Sequence, residues 1–266
     1  MEPRIEIEKE YFDRQARKWK EDPSRVSDYS ENFNPALRMP YIFCEEILRH
    51  NCQNKRVLDY GCGVGPYSIF LAKNGGEVTG IDISEVSIEI AKERAIREGV
   101  DKRTRFLVMN CEALEFADDS FDVVFNSGTL SYLDLPKALF EIARVLKPDG
   151  VFLGVDTLGH NPLLNLNRKI KERQNLRSQW MVEHILRMKD LEMTRRYFGK
   201  AEFKFFNLAA LAAVPFSRLP GFNFVLRLLE AVDKVLLKLP FLKKLAFKVV
   251  FILSQPNKPA PNHEES

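Results

Sequence analysis

Between residues 55 and 156 short, continuously apolar runs alternate with longer runs of helical period. Residues 56–60, 77–82, 105–109, 121–126 and 151–156 have the length and β-branched or aromatic content of buried strands. Residues 66–73, 85–98 and 135–145 read as helices, and their ends are marked. Gly75 and Gly76 stop the first, Ser84 caps the second and Gly99 ends it, and Asp134 caps the third with Pro136 in its opening turn. The Lys-Pro-Asp-Gly sequence at 147–150 predicts a turn. Strands alternating with helices predict an α/β fold: a Rossmann-like parallel sheet with helices on both faces.

The flanks carry a different pattern. Residues 1–54, with Tyr11, Trp19, Tyr29 and Tyr41, predict a helical cap ahead of the 55–156 core. Residues 157–200 predict a charged helical region, and 201–206 and 247–253 two closing strands. The 207–244 stretch between those strands predicts an apolar helical insertion. Within 222–239 the residues Arg227, Glu230, Lys234 and Lys238 form one narrow polar stripe in an otherwise apolar helix. Residues 1–254 are expected to make a single domain, and 255–266, rich in Pro and Asn, a disordered tail.

Composition is that of a globular protein, 45% hydrophobic and 29% charged, but the net charge of +3 is unevenly spread. Residues 1–150 hold 21 basic and 27 acidic side chains, and residues 151–266 hold 19 and 10. A basic C-terminal half calls for an anionic partner or a solvated surface. The charged N-terminus lacks the pattern of a signal or transit peptide, and no run of about 18 apolar residues reads as a membrane span. Four cysteines without paired spacing predict reduced thiols and a cytoplasmic protein. No cluster has metal-ligand spacing, so no metal is expected.

The candidate chemistry begins at VLDYGCGVG, residues 57–65, where a strand runs into Gly61, Gly63 and Gly65. Glycine lets the backbone turn sharply and come close to a ligand. Asp82 ends the next strand, where a carboxylate can accept both ribose hydroxyls of an adenosine. A nicotinamide dinucleotide would use the same parts. However, G-x-G-x-x-G needs glycine where Pro66 stands, and Asp59 just before the loop suits a cationic ligand better than a pyrophosphate.

Three further stretches, GIDIS at 80–84, NCEALEFADDSFDVVF at 110–125 and RVLKPDG at 144–150, follow in order. With the glycine loop, they make residues 40–156 resemble the class I S-adenosylmethionine-dependent methyltransferases of the UbiE-like, small-molecule type. The resemblance implies S-adenosyl-L-methionine as cofactor. Gly61, Gly63 and Gly65 would lie along its methionine part, Asp82 at the ribose, Ile83 as a wall for adenine, and Asn110, Cys111 and Glu112 at the adenine edge. Asn126 to Thr129, with Asp156, Thr157 and His160, would lie near the methyl group. Where many relatives carry histidine this chain has Ser131, so His160 and His184 are the base candidates for a hydroxyl acceptor. The thiols are expected to pack rather than react.

Three functions fit these residues. The first is methylation of a small lipophilic or lipid-linked acceptor, with oxygen slightly favoured and the apolar insertion lying peripherally on an anionic membrane. The second is N- or C-methylation of a soluble metabolite, and the third a non-catalytic adenosyl-binding assembly module. Nucleic acid is disfavoured: the stretch Asn126-Ser127-Gly128-Thr129 stands where amino-methylating nucleic-acid enzymes carry an Asn/Asp-Pro-Pro-aromatic motif. Oligomeric state is not legible.

Overall fold

The strand runs pair as their apolar character requires. In the computed structural model, which describes residues 3–21, 34–173 and 179–258, seven strands form one sheet. They are β1 (Arg56–Tyr60), β2 (Glu77–Asp82), β3 (Thr104–Val108), β4 (Phe121–Ser127), β5 (Leu146–Thr157), β6 (Phe198–Phe206) and β7 (Lys248–Pro256). Their order is β3-β2-β1-β4-β5-β7-β6, parallel through β5, with β7 antiparallel to both neighbours. This is the α/β Rossmann-like sheet expected from the alternation.

The core helices are α1 (Pro3–Glu21), α2 (Met39–Asn51), α3 (Pro66–Lys73), α4 (Glu85–Arg97) and α5 (Leu135–Val145). Beyond β5 come α6 (Pro162–Arg173), α7 (Gln179–Glu183), α8 (Met188–Met193), α9 (Phe222–Leu236) and α10 (Pro240–Lys243). One face of the sheet packs on Cys44 and Leu48 of α2, Leu71 of α3 and Ala91 of α4. The other packs on Leu139 and Ile142 of α5 together with Leu186. Both expected caps form, the side chains of Ser84 and Asp134 accepting from the N–H groups of Ser87 and Lys137.

Three local expectations need correction. Residues 147–150 are not a separate turn. They lie within β5 as a bulge, between the pairs Phe121↔Leu146 and Val123↔Val151. Strand β6 starts three residues early, because Phe198 is buried against Phe152 and pairs with Pro256. For the same reason Gln255 and Pro256 belong to β7 and not to a tail, and the Asn257 N–H donates to the Tyr197 carbonyl. Tyr29 and residues 259–266 lie outside the described residues.

The insertion is seated by one face only. Phe222 and Leu226 of α9 pack with Ala36, Ala210 and Ala213. Asp233, on the same side, accepts from the N–H groups of Leu208, Ala209 and Ala210 at 3.1, 2.6 and 3.2 Å. The opposite face is apolar and exposed, with Phe224, Leu228 and Val235 at 76%, 58% and 65%. No helix among the described residues is long and apolar enough to cross a membrane.

Gly154 of β5 faces Phe251 of β7, and a Cβ there would lie 2.1 Å from the ring. Phe251 is buried against Phe152, so it has little room to yield. Gly154→Ala is expected to destabilise the fold by about 1–3 kcal/mol through overpacking. Urea denaturation of the two proteins checks it; an unchanged midpoint would mean the ring shifts freely.

Candidate active site

Strand β1 delivers the chain into three left-handed glycines, Gly61, Gly63 and Gly65, with φ of +73°, +52° and +78°. A side chain at Gly61 would also strike Thr129, whose Oγ1 lies 2.3 Å from the Cβ position. At Gly63 nothing lies within 4 Å, so the loop presents bare backbone there. Gly65 does another job: it precedes the first turn of α3 and packs on Ala91.

Asp82 fastens this loop to the one after β2. One carboxylate oxygen accepts the Gly63 N–H and the other the Ser84 N–H, both at 2.9 Å. Burial pushes the Asp82 carboxyl above its usual range, against which those N–H groups act. Each oxygen keeps a second lone pair, so the carboxylate can still receive ligand hydroxyls.

Around these residues lies a cavity of about 240 Å³. Of the ten predicted cofactor residues, Gly61, Gly63, Asp82, Ile83, Asn110, Cys111 and Glu112 line it. Asn110 accepts the Glu112 N–H at 2.9 Å through Oδ1. The Glu112 carboxylate is held from two sides, by Arg4 at 2.6 Å and by the Asp134 N–H at 2.7 Å.

Asp59, Gly65 and Asn126 do not line it. Asp59 is buried beneath the loop and accepts from the Ser68 hydroxyl at 2.6 Å. Burial pushes its carboxyl up to about 7; the Ser68 bond opposes the rise and the charge of Asp82 adds to it. Asn126 is fully buried and accepts the Thr129 N–H, shaping the Ser127–Gly128–Thr129 corner that does reach the cavity.

Residues expected after β5 also turn away. Asp156 is buried and anchors the Leu130 N–H and the Ser131 hydroxyl, while Thr157 meets the Lys248 amine. His160 accepts the Met188 N–H through Nε2 at 3.0 Å, and burial lowers its pKa, with Arg187 and Lys244 adding to the effect. His184 is exposed, stacked on Trp180 with ring centroids 3.7 Å apart, and lines a neighbouring cleft. Neither histidine is brought into the cavity.

The wall missed by the sequence reading is α1. Arg4, Ile5, Glu8, Phe12, Gln15 and Trp19 all face the cavity. Their spacing of three, four, three and four from Ile5 onward was a helical stripe in plain view. The segment was expected only as part of a helical cap, and no sequence signal said which element the stripe would cover. Among the contacts that hold α1 in place are Arg4 to Glu112, Lys9 to Glu85 at 2.9 Å, and Asp13 to the Ser84 hydroxyl at 2.5 Å. Tyr132 stands opposite, edge-on to Phe12 at 4.9 Å. Glycine turns bare toward open space, an acceptor carboxylate and the Asn110–Glu112 backbone suit an adenosyl group.

Comparison with known proteins agrees with this geometry. Residues 58–154 match the family model described as a methyltransferase domain. A sterol 4-C-methyltransferase of Caenorhabditis elegans is 34% identical over 110 residues, covering 41% of this chain and 33% of that protein. The ubiquinone biosynthesis O-methyltransferase of Bordetella avium is 29% identical over 205 residues, covering 74% and 82%. A geranyl diphosphate C-methyltransferase from Streptomyces coelicolor shares the fold with a TM-score of 0.64 at 16% identity, covering 95% and 98%. Against the first three curated relatives, the chain spans only a third to a little under half of their length.

The raised Asp59 carboxyl has a signed consequence for stability. Its folded pKa of about 7 lies above the ordinary 3.8, so its contribution is full below pH 4 and is lost as pH rises through about 7. Asp59→Asn cannot ionise and is expected to gain stability on the wild type steadily across that window. Urea denaturation at several pH values checks it, and two parallel profiles would show that Asp59 ionises as in water.

Proposed function

We propose, for a chain whose core is a class I S-adenosylmethionine-dependent methyltransferase domain, that the protein methylates a small lipophilic or lipid-linked acceptor. The observation that carries the cofactor half is Asp82 bridging the Gly63 and Ser84 N–H groups at the rim of the cavity. Bound there, S-adenosyl-L-methionine supplies an electrophilic methyl group on a sulfonium. Gly61, Gly63, Asp82, Ile83, Asn110, Cys111 and Glu112 would hold it. Alignment of two reactants is worth about 7–11 kcal/mol, so positioning is the main contribution of the protein. Ile5, Phe12 and Trp19 give one side of the cavity an apolar lining.

The lipophilic half rests on the exposed apolar face of α9 and on the relatives, whose names carry a sterol, ubiquinone biosynthesis and geranyl diphosphate. Oxygen is the acceptor atom favoured here, supported by the O-methyltransferase that aligns over most of its length. The basic C-terminal half supports peripheral contact with an anionic membrane, where each large apolar side chain inserted contributes about 1.5–3 kcal/mol.

A hydroxyl acceptor must lose a proton. Three carboxylates line the cavity. Glu8 lines it from α1, on a different wall from the glycine loop and the 110–112 segment, and neither His160 nor His184 lines it, so we assign the base to Glu8.

Three outcomes are expected. Calorimetry should show S-adenosylhomocysteine binding and no NAD binding, with Asp82→Ala weakening the former by about 1.5–3 kcal/mol. Heat from NAD alone would overturn the cofactor assignment. Glu8→Gln should lower kcat by roughly 10²–10⁴ at unchanged cofactor affinity, with His160→Ala and His184→Ala close to wild type. A large loss in either histidine variant instead would move the base there.

A further inference from the structure

Helix α6 is folded inside out. Two of its polar side chains, Arg168 and Asn165, turn inward onto backbone carbonyls, while Asn167, Lys169 and Arg173 are exposed. Arg168, 5% exposed, donates to the Leu158 carbonyl at 3.0 Å and to Asn165 at 2.6 Å. Asn165 donates to the Gly159 carbonyl at 2.9 Å, and Asn161, just ahead of the helix, to the Leu245 carbonyl at 3.2 Å. Leu164 is half-buried, but the other three large apolar side chains point outward: Leu163, Leu166 and Ile170 are 78%, 60% and 46% exposed. At 3.6 residues per turn those three fall within an arc of about 60°, and Arg168 lies roughly opposite. A helix facing water has the reverse arrangement. Rotating α6 to hide the leucines would strip Arg168 and Asn165 of their carbonyl partners, so the inversion is locked by the hydrogen bonds.

The inverted stripe does not stand alone. The Asn161–Leu245 bond ties the start of α6 to the segment just after α10, where Phe241 is 60% exposed. The two segments are basic: residues 162–173 carry Lys169, Lys171 and Arg173 besides the inward Arg168, and 240–244 carry Lys243 and Lys244, with Glu172 the acid within them. Outward leucines rimmed by lysines fit an anionic lipid leaflet, apolar inside and negative at its surface. A second copy of the chain fits poorly. An isologous contact through this face would set the same lysines against one another.

We propose that α6, with the α10 corner beside it, is a bilayer-docking element whose Leu163, Leu166 and Ile170 enter the headgroup region of an anionic leaflet. This extends the membrane part of the proposed function from α9 to a second helix, one joined directly to the end of β5. Contact at two helices fixes how the protein sits on the surface, whereas contact at α9 alone leaves it free to pivot.

The test is co-sedimentation with phosphatidylcholine vesicles, with and without phosphatidylglycerol, at low and high salt. The wild type is expected to bind the anionic vesicles at low salt and to be released by high salt. The L163Q/L166Q/I170Q variant, in which glutamine preserves helix propensity, is expected to partition roughly tenfold or more weakly. An F224Q/L228Q variant reads the α9 contribution separately. S-adenosylhomocysteine binding, measured by calorimetry without vesicles, is expected to be equal in all three proteins and shows that each is folded. Wild-type binding that survives the α6 substitutions while falling with the α9 ones overturns the α6 proposal. Wild type remaining in the supernatant overturns it as well, as does a dimer in light scattering that the α6 substitutions dissociate. Loss of cofactor heat in the wild type would instead count against the methyltransferase reading and leave the vesicle result standing.

Discussion

The Asp82 carboxylate is the joint on which the site depends. By accepting one N–H from the glycine loop and one from the next β–α corner, it joins the ends of β1 and β2 into a single rim. Left unpaired, a buried donor such as the Ser84 N–H costs about 1–3 kcal/mol. The same corner reaches outward through Ser84, whose hydroxyl caps α4 and donates to Asp13 of α1. One carboxylate therefore shapes the loop, and its neighbour recruits the wall that closes the cavity.

That wall has a different physical character from the floor. The floor is backbone fixed by strand pairing and by left-handed glycines, and it cannot move without breaking the sheet. The wall is one helix held by side-chain contacts at Arg4, Lys9 and Asp13, with Trp19 packed against Val64 and Ile90.

The C-terminal part follows a second logic. Strands β6 and β7 complete the sheet, and around them several polar groups are used internally. Asp233 is spent on three backbone N–H groups, and Arg168 and Asn165 on carbonyls. Apolar side chains are left outside on α6 and α9 alike. Isolated exposed leucines are ordinary on a soluble surface; two helices with outward apolar faces are not.

Much of this was legible in the sequence because it depends on near neighbours. The bounds of β1, α3 and β2, the caps at Ser84 and Asp134, and the glycine turn follow from local period, capping chemistry and left-handed backbone, which need no distant partner. That Asp82, Ile83 and the 110–112 segment meet at one cavity was expected from the family resemblance of their motifs, and strand ends pointing one way in a parallel sheet bring them there. What the tertiary structure alone decided is which side of each element turns inward. Asp59 and Asp82 are both acids at the ends of strands, yet one meets Ser68 under the loop and the other meets the rim. The α1 stripe had helical spacing whatever it covered. His160 was close in sequence to the site and was claimed by the Met188 N–H. In α6 the periodicity is identical whether the leucines face in or out; only the carbonyls of Leu158 and Gly159, placed there by the end of β5, decided that arginine goes inward.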